Sequence, residues 1–220
     1  MNTNYEAIIL CGGDAWRLKP DTWVPKPMLQ FGSLNLLEYQ IRWLMRNGIK
    51  HIVIASDKEY NIRDALLEYV TWSIELFSRG TGGAVMIAVD KLNNSKLPFY
   101  VMNVDDVCFF NPVEAMYPEP QAKIIVSKPR LAYGAVKLRQ ELVLGFREKP
   151  YSDDYVSCGH YVFKKHIVDQ YFPDNGNLEY EALPKLAEER ILQNHRISKW
   201  MTINTYKDYL VLKDILEEIK

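Results

Sequence analysis

The 220-residue chain carries 27 lysines and arginines against 28 aspartates and glutamates, a formal net charge of −1. No global field draws it to nucleic acid or to an anionic membrane, so any polyanionic ligand must be held by local groups. A chain of this length buries roughly 70–75% of its unfolded surface and needs no disulfide or metal staple. Its three cysteines, Cys11, Cys108 and Cys158, form no CxxC pair and make no zinc-ligand spacing with the four histidines. They read as reduced, buried thiols of a cytoplasmic protein. The opening residues, Met1 to Glu6, are neither basic nor apolar enough for a signal peptide, and no apolar run approaches the length of a membrane span.

Residues 7–11 (AIILC) are a continuous apolar run of strand length that stops at Gly12-Gly13. That pattern predicts a central parallel strand buried on both faces. After a loop to about Gly32, the residues Leu34, Leu37, Ile41, Leu44 and Met45 follow helical spacing, with Ser33 read as the N-cap and Gly48 as the residue just past the end. His51 to Ala55 is the next strand, which completes a βαβ unit. Helix is expected over 60–71, strand over 72–77, helix from 82 to 92, and a buried strand from Phe99 to Val104. Four strands follow at 122–127, 133–139, 142–147 and 156–163, then a helix near 178–190. Thr205 caps a last helix on which Tyr209, Leu212, Leu216 and Ile219 share one face. This alternation predicts one α/β domain over residues 1–220, built on a mixed, mainly parallel sheet, with ligands beyond the carboxyl ends of its strands.

Four clusters could carry chemistry. Gly12 and Gly13 follow the first strand, where a backbone free of side chains can approach phosphate oxygens. Arg17, and Lys26 set between Pro25 and Pro27, add the positive charge a triphosphate needs. The run is neither a Walker A loop nor a dinucleotide fingerprint, and a strand-exit turn with surface basic residues would look the same. Gly80-Thr81-Gly82-Gly83-Ala84 suits contact with a flat base, an anion nest, or simply a flexible turn entering a helix. Asn103-Val104-Asp105-Asp106 ends a buried strand, where a carboxylate can hold Mg²⁺ or merely cap a turn. Phe146 to Pro150 contains a Glu148-Lys149 pair suited to sugar hydroxyls and phosphate, though such pairs are commonly just solvated.

The order of these clusters resembles one family. Residues 8–29 (IILCGGDAWRLKPDTWVPKPML) are similar to the signature of nucleotidyltransferases acting on sugar 1-phosphates, which reads Gly-Gly-x-Gly-Thr-Arg-Leu followed by Pro-Lys-Pro. Gly80 to Ala84 resembles its Gly-Thr-Ala-Gly-Ala segment, and Asn103-Val104-Asp105 its Asn-Gly-Asp. Tyr133-Gly134, Glu148-Lys149-Pro150 and Cys158-Gly159 fall at its sugar-side positions. The resemblance implies a three-layer α/β/α nucleotide-diphospho-sugar transferase fold and Mg²⁺-dependent transfer of a nucleotide to a sugar 1-phosphate. It implies that Gly12, Gly13 and Gly80 contact the nucleotide, with Arg17 on the triphosphate and Lys26 at the reacting centre. Asp105 would bind the metal, and Gly134, Glu148, Lys149 and Gly159 would line the sugar-phosphate pocket. The Cys11-Gly12-Gly13 start and the 80–83 segment lean toward guanylyl transfer. A homo-oligomer or a paralogous partner subunit is compatible with all of this.

Two departures stand out. Ala15 and Trp16 replace the third loop glycine and the threonine, and Thr202 occupies the place of the family's second metal-binding aspartate, with Asn204 in place of the following glycine. A neutral hydroxyl is a poor Mg²⁺ ligand, which makes the alternative a catalytically weak homologue that binds nucleotide or NDP-sugar and regulates an active partner. Asp106 is not expected to compensate for Thr202 directly, because adjacent strand residues face opposite ways.

Overall fold

The computed structural model describes residues 4–12, 16–75, 77–94 and 96–218. In chain order the strands are β1 Glu6–Leu10, β2 Gln30–Phe31, β3 Leu34–Asn35, β4 His51–Ser56, β5 Val70–Ile74, β6 Phe99–Asn103, β7 Asp106–Cys108, β8 Ala122–Ser127, β9 Ala135–Arg139, β10 Leu142–Arg147, β11 Val156–Phe163, β12 Leu192–Arg196 and β13 Trp200–Thr202. The α-helices are α1 Leu36–Arg46, α2 Asp64–Leu67, α3 Gly80–Ala88, α4 Pro112–Met116, α5 Lys165–Tyr171, α6 Ala182–Glu188 and α7 Tyr206–Glu218.

Seven strands form one sheet in the order β12-β8-β11-β6-β1-β4-β5. β6, β1, β4 and β5 run parallel to one another, and β11 is antiparallel to both β6 and β8. The apolar run of β1 is buried throughout because helices cover both faces. Ala7 and Ile9 point to one side, where they pack with Leu37, Ile41 and Leu44 of α1 and Tyr209 and Leu212 of α7. Ile8 and Leu10 point to the other, against Val85 and Ala88 of α3, Ile167 and Val168 of α5 and Leu186 of α6. This is the three-layer α/β/α arrangement expected from the sequence.

Local chemistry sets the helix ends, in one case differently from expectation. The N-cap of α1 is Asn35 rather than Ser33: Asn35 Oδ1 accepts from the Glu38 amide at 2.8 Å, and Glu38 Oε2 accepts from the Asn35 amide at 3.1 Å. Ser33 is instead taken up by the turn of the short β2–β3 hairpin. Gly48, at φ +90, does follow the end of α1. The helix expected over 60–71 is a single turn, α2, because residues from Val70 onward pair with β4. α5 and β12 were not anticipated. On α7, the Asp208 carboxylate accepts from the Thr205 amide at 2.7 Å, and Tyr209, Leu212 and Leu216 face the core; Ile219 lies outside the described residues. Among the described residues, no helix is long and apolar enough to cross a membrane.

The β9–β10 hairpin stands apart from the main sheet. Its register places Val136 opposite Phe146 and Leu138 opposite Val143, so these exposed apolar side chains share a face, while Lys137 and Arg147 take the other.

Candidate active site

β1, β4, β5 and β6 all end at one cavity of about 400 Å³. Leu10, Cys11 and Gly12 enter it from β1, Ser56 and Asp57 from β4, Glu75 from beyond β5, and Asn103 and Asp105 from β6. The strand ends are tied together by their backbones: the Cys11 amide donates to the Ala55 carbonyl at 2.8 Å and the Val104 amide to the Leu10 carbonyl at 3.0 Å. Gly12 is open, with nothing within 4 Å of where a Cβ would stand. Gly13 and Ala15, and the side chain of Trp16, lie outside the described residues.

Lys26 begins a short 3-10 turn, with Pro25 as its cap and the buried Pro27 as its next residue. The turn closes as the Met28 amide donates to the Pro25 carbonyl at 2.8 Å. So anchored, Lys26 reaches across the cavity and its Nζ lies 2.5 Å from Asp105 Oδ2. Asp105 sits in the turn between β6 and β7, where the Ile203 amide donates to its carbonyl at 3.0 Å and Gln40 Nε2 donates to the Val104 carbonyl at 3.0 Å. Among the described residues, no group of three or more His, Cys, Asp or Glu converges as a metal cage.

The glycine-rich segment is explained by packing. It is part of α3, which starts at Gly80, two residues before the start expected from the sequence. A Cβ at Gly80 would clash with Gly176 and Asn177, one at Gly82 with Pro173, and one at Gly83 with Asp174 and Arg79. Gly80 also needs φ +73, a conformation that costs glycine least. The amides of Gly82 and Thr81 are already used, by the Gly176 carbonyl at 2.9 Å and Asn177 Oδ1 at 3.2 Å. Two of the donors that an anion nest would use are thus bonded within the protein, while Gly80 and Thr81 themselves line the cavity.

Arg17 is not on the cavity wall. It is exposed, and its Nη1 donates to Asn204 Oδ1 at 3.4 Å. Gly134, Glu148 and Lys149 flank the β9–β10 hairpin and also stand off the wall; the Phe146 ring covers Gly134, with the Glu148 carboxylate close by. Lys149 has φ +45, and its carbonyl accepts from Arg130 Nε at 2.9 Å. Gly159, at φ +68, leaves no room for a Cβ because Asn103 and Asp106 pack against it.

Asp106 opens β7 directly after the turn that holds Asp105, so the strand alternation invoked from sequence does not apply to this pair, and Asp106 stands across the β7–β13 ladder from Thr202. Its carboxylate is buried and accepts from Asn103 Nδ2 and Trp200 Nε1, each at 3.0 Å. Burial, with the charge of Asp105, pushes its pKa up to about 7, while the side chains of Asn103, Thr202 and Trp200 favour the ionised form. His160 is fully buried beside it: its Nε2–H donates to the Asp106 carbonyl at 2.9 Å, so Nδ1 accepts from Tyr100 Oη at 2.8 Å. Burial lowers the His160 pKa to about 4. The thiols of Cys11 and Cys108 are raised well above the usual range, chiefly by burial, and are poor nucleophiles.

Sequence reasoning missed Asp57, Glu75, Arg79 and Asn177, all on the cavity wall. Burial raises the Glu75 pKa, partly offset by the backbone amide and charge of Arg79. Only Arg79 carried a signal, as a cation directly preceding the glycine run.

The family model described as Nucleotidyl transferase matches residues 6–218. Curated relatives include the mannose-1-phosphate guanylyltransferase catalytic subunit beta of Dictyostelium discoideum, 29% identical over 93% of this chain and 62% of that protein. The mannose-1-phosphate guanyltransferase beta-A of Xenopus laevis is 30% identical with the same coverage. The chain thus spans about 62% of the length of these relatives. Among solved structures, HddC from Yersinia pseudotuberculosis complexed with GMP-PN superposes with a TM-score of 0.74 at 22% identity, over 98% of this chain and 100% of that one. The inositol-1-phosphate CTP transferase from T. maritima gives 0.70 at 19% identity, over 100% and 98%.

Proposed function

We propose that this chain, which belongs to the nucleotidyl transferase family, joins GTP to a mannose-type sugar 1-phosphate and releases pyrophosphate. The observation that carries the reading is the Lys26–Asp105 pair, 2.5 Å apart on the wall of a cavity at the strand ends. A fixed cation and a carboxylate facing one another are what phosphoryl chemistry needs: one neutralises the transferring group, and the other takes a metal carried by the phosphates.

The residues present fit Mg²⁺ of that kind, which uses one or two protein carboxylates and fills its shell with phosphate oxygens and water. Asp105 would hold it, with Thr202 contributing no charge. When bound, Mg²⁺ supplies charge neutralisation on the phosphates. A sugar-phosphate oxygen attacks the α-phosphorus as the bond to the bridging oxygen breaks, and pyrophosphate leaves with that electron pair. Lys26 binds the α-phosphoryl oxygens and offsets the repulsion between the two anions. Gly12 lets the triphosphate lie against the backbone, and the sugar phosphate enters from the side of Gly159, Gly134, Glu148 and Lys149, with Arg17 on the outer phosphates. No side-chain nucleophile is required.

The far end of the cavity supports the choice of base. Glu75 lies beyond β5, three strand spacings or about 14 Å from Asp105, which lets a nucleotide lie along the strand ends. A carboxylate there repels phosphate but accepts N–H groups. Guanine offers two adjacent donors, N1–H and the 2-amino group, where uracil and thymine offer one. The names of the mannose-1-phosphate guanylyltransferase relatives support the same nucleotide and sugar. Three buried free thiols support a reducing, cytoplasmic setting.

The test is pyrophosphate release with four NTPs against a panel of sugar 1-phosphates. Turnover confined to GTP and a mannose-type sugar is expected. Nucleotide binding without turnover on any sugar would move the chain to a binding role.

A further inference from the structure

Asp106 and Thr202 are directly opposed in the antiparallel β7–β13 ladder, so their side chains stand on the same face. Asp106 is 6% exposed, yet no cation neutralises its carboxylate among the partners described above. It is held instead by neutral donors, Asn103 Nδ2 from the end of β6 and Trp200 Nε1 from β13. Gly159 of β11 presses on it from a third side, in a left-handed conformation that the carboxylate leaves no space to fill. Its main chain is fastened as well: the Asp106 carbonyl accepts from Gln40 Nε2 at 2.8 Å and from His160 Nε2 at 2.9 Å. One buried carboxylate thus joins β6, β7, β11 and β13 immediately beside Asp105.

The cost of burying such a group is offset only when its lone pairs are filled. Removing it would leave the Trp200 and Asn103 donors unpaired, and adding a second carboxylate across the ladder would set like charges side by side.

We infer that Asp106 is a positioning residue, whose buried carboxylate sets the angle at which Asp105 is presented to the cavity and clamps the Gly159 backbone, and that Thr202 is its neutral ladder partner rather than a damaged metal ligand. The ladder pair tolerates one carboxylate, and in this chain it stands at 106, facing inward. What Asp105 does at the cavity rests on the transfer reading; the coupling between 106 and 202 does not.

Four proteins test this: wild type, Asp106→Asn, Thr202→Asp and the double variant. Melting temperature is read for each, together with nucleotide affinity by calorimetry with and without Mg²⁺. Asp106→Asn should weaken Mg²⁺-dependent nucleotide affinity about tenfold or more, the scale of losing a group that orients a metal ligand. Metal-free affinity should stay within about twofold, a split that general loss of structure would not produce. Thr202→Asp should melt lower than wild type without gaining Mg²⁺ affinity, and adding Asp106→Asn should recover part of that loss, a non-additivity that marks direct contact. Trp200→Phe, which removes one donor, should shift Mg²⁺-dependent affinity in the same direction as Asp106→Asn, and it decides that arm if Asp106→Asn does not fold. A Thr202→Asp protein as stable as wild type that binds Mg²⁺ more tightly would overturn the inference, because Thr202 would then face the metal. Unchanged Mg²⁺-dependent affinity in Asp106→Asn would overturn it too. If wild type binds no nucleotide, the transfer reading fails, and the melting data alone still decide whether 106 and 202 are coupled.

Discussion

Lys26 Nζ and Asp105 Oδ2 stand 2.5 Å apart, a charge-assisted pair formed by residues 79 positions apart in the chain. The ammonium is bonded to the carboxylate that would take a metal. Replacing Lys26 with Met should therefore raise the affinity of the nucleotide-free protein for Mg²⁺, measured by titration calorimetry. Replacing it with Ala should lower kcat/KM by about 10²–10³, the scale of one preorganised transition-state donor. Near-wild-type turnover in Lys26→Ala would return this lysine to the role of a surface cation.

Asp105→Asn keeps the shape of the side chain and removes its charge. It should abolish Mg²⁺-dependent nucleotide binding while leaving the melting temperature near that of wild type, because the turn's carbonyls are held by the Ile203 amide and the Gln40 side chain. Unchanged metal-dependent affinity would mean that another residue holds the metal.

Glu75→Gln exchanges an acceptor-only group for one that presents a donor as well. KM for GTP should rise roughly 10–100-fold, as expected for losing a hydrogen bond to a charged acceptor. KM for ITP, which lacks the 2-amino group, should rise less. Equal KM values for GTP in variant and wild type would remove Glu75 from base recognition.

The two buried titrating neighbours oppose one another. His160, with its pKa lowered to about 4, contributes stability that is present above the unfolded value of 6.5 and lost as pH falls through 4. Asp106, raised from 3.8 to about 7, contributes stability that is present at low pH and lost as pH rises through 7. Between pH 4 and 6.5 their slopes have opposite signs, so wild-type stability should vary weakly with pH on their account. Asp106→Asn removes one of them, and its melting temperature should fall more steeply than that of wild type on acidification across this window. Parallel profiles for the two proteins would contradict the assignment.

Strand ends were the legible part of this chain. The continuous apolar runs at 7–11 and 99–104 read as buried strands and are β1 and β6, and β8, β10 and β11 begin and end where alternation and turns placed them. Elements whose boundaries depend on distant partners were not legible. The apolar residues Ile62, Leu66 and Val70 keep a helical period, but β4 recruits Val70 onward into the sheet. The glycines of 80–83 read as a turn entering a helix or as a ligand contact, and only the fold shows that the segment at 173–177 needs the space they leave. Lys26 and Asp105 could be named as candidates because the order of the runs that hold them resembles one family. Asp57, Glu75 and Asn177 come from separate segments with nothing around them to mark a site, and only folding collects them on one wall.

The junction between α3 and the 176–177 segment makes this part of the cavity wall a shared property of two distant stretches. Thr81 donates its amide to the Asn177 side chain, 96 positions away, and its hydroxyl accepts from the Leu178 amide at 3.0 Å. The front of α3 can fray only if that segment lifts off, and the segment can lift only by uncovering the first turn of the helix. Hydrogen exchange at Thr81 and Gly82 should then be gated by breathing of the α5–α6 connection, so that a change in that connection is felt as altered grip on the nucleotide without touching it.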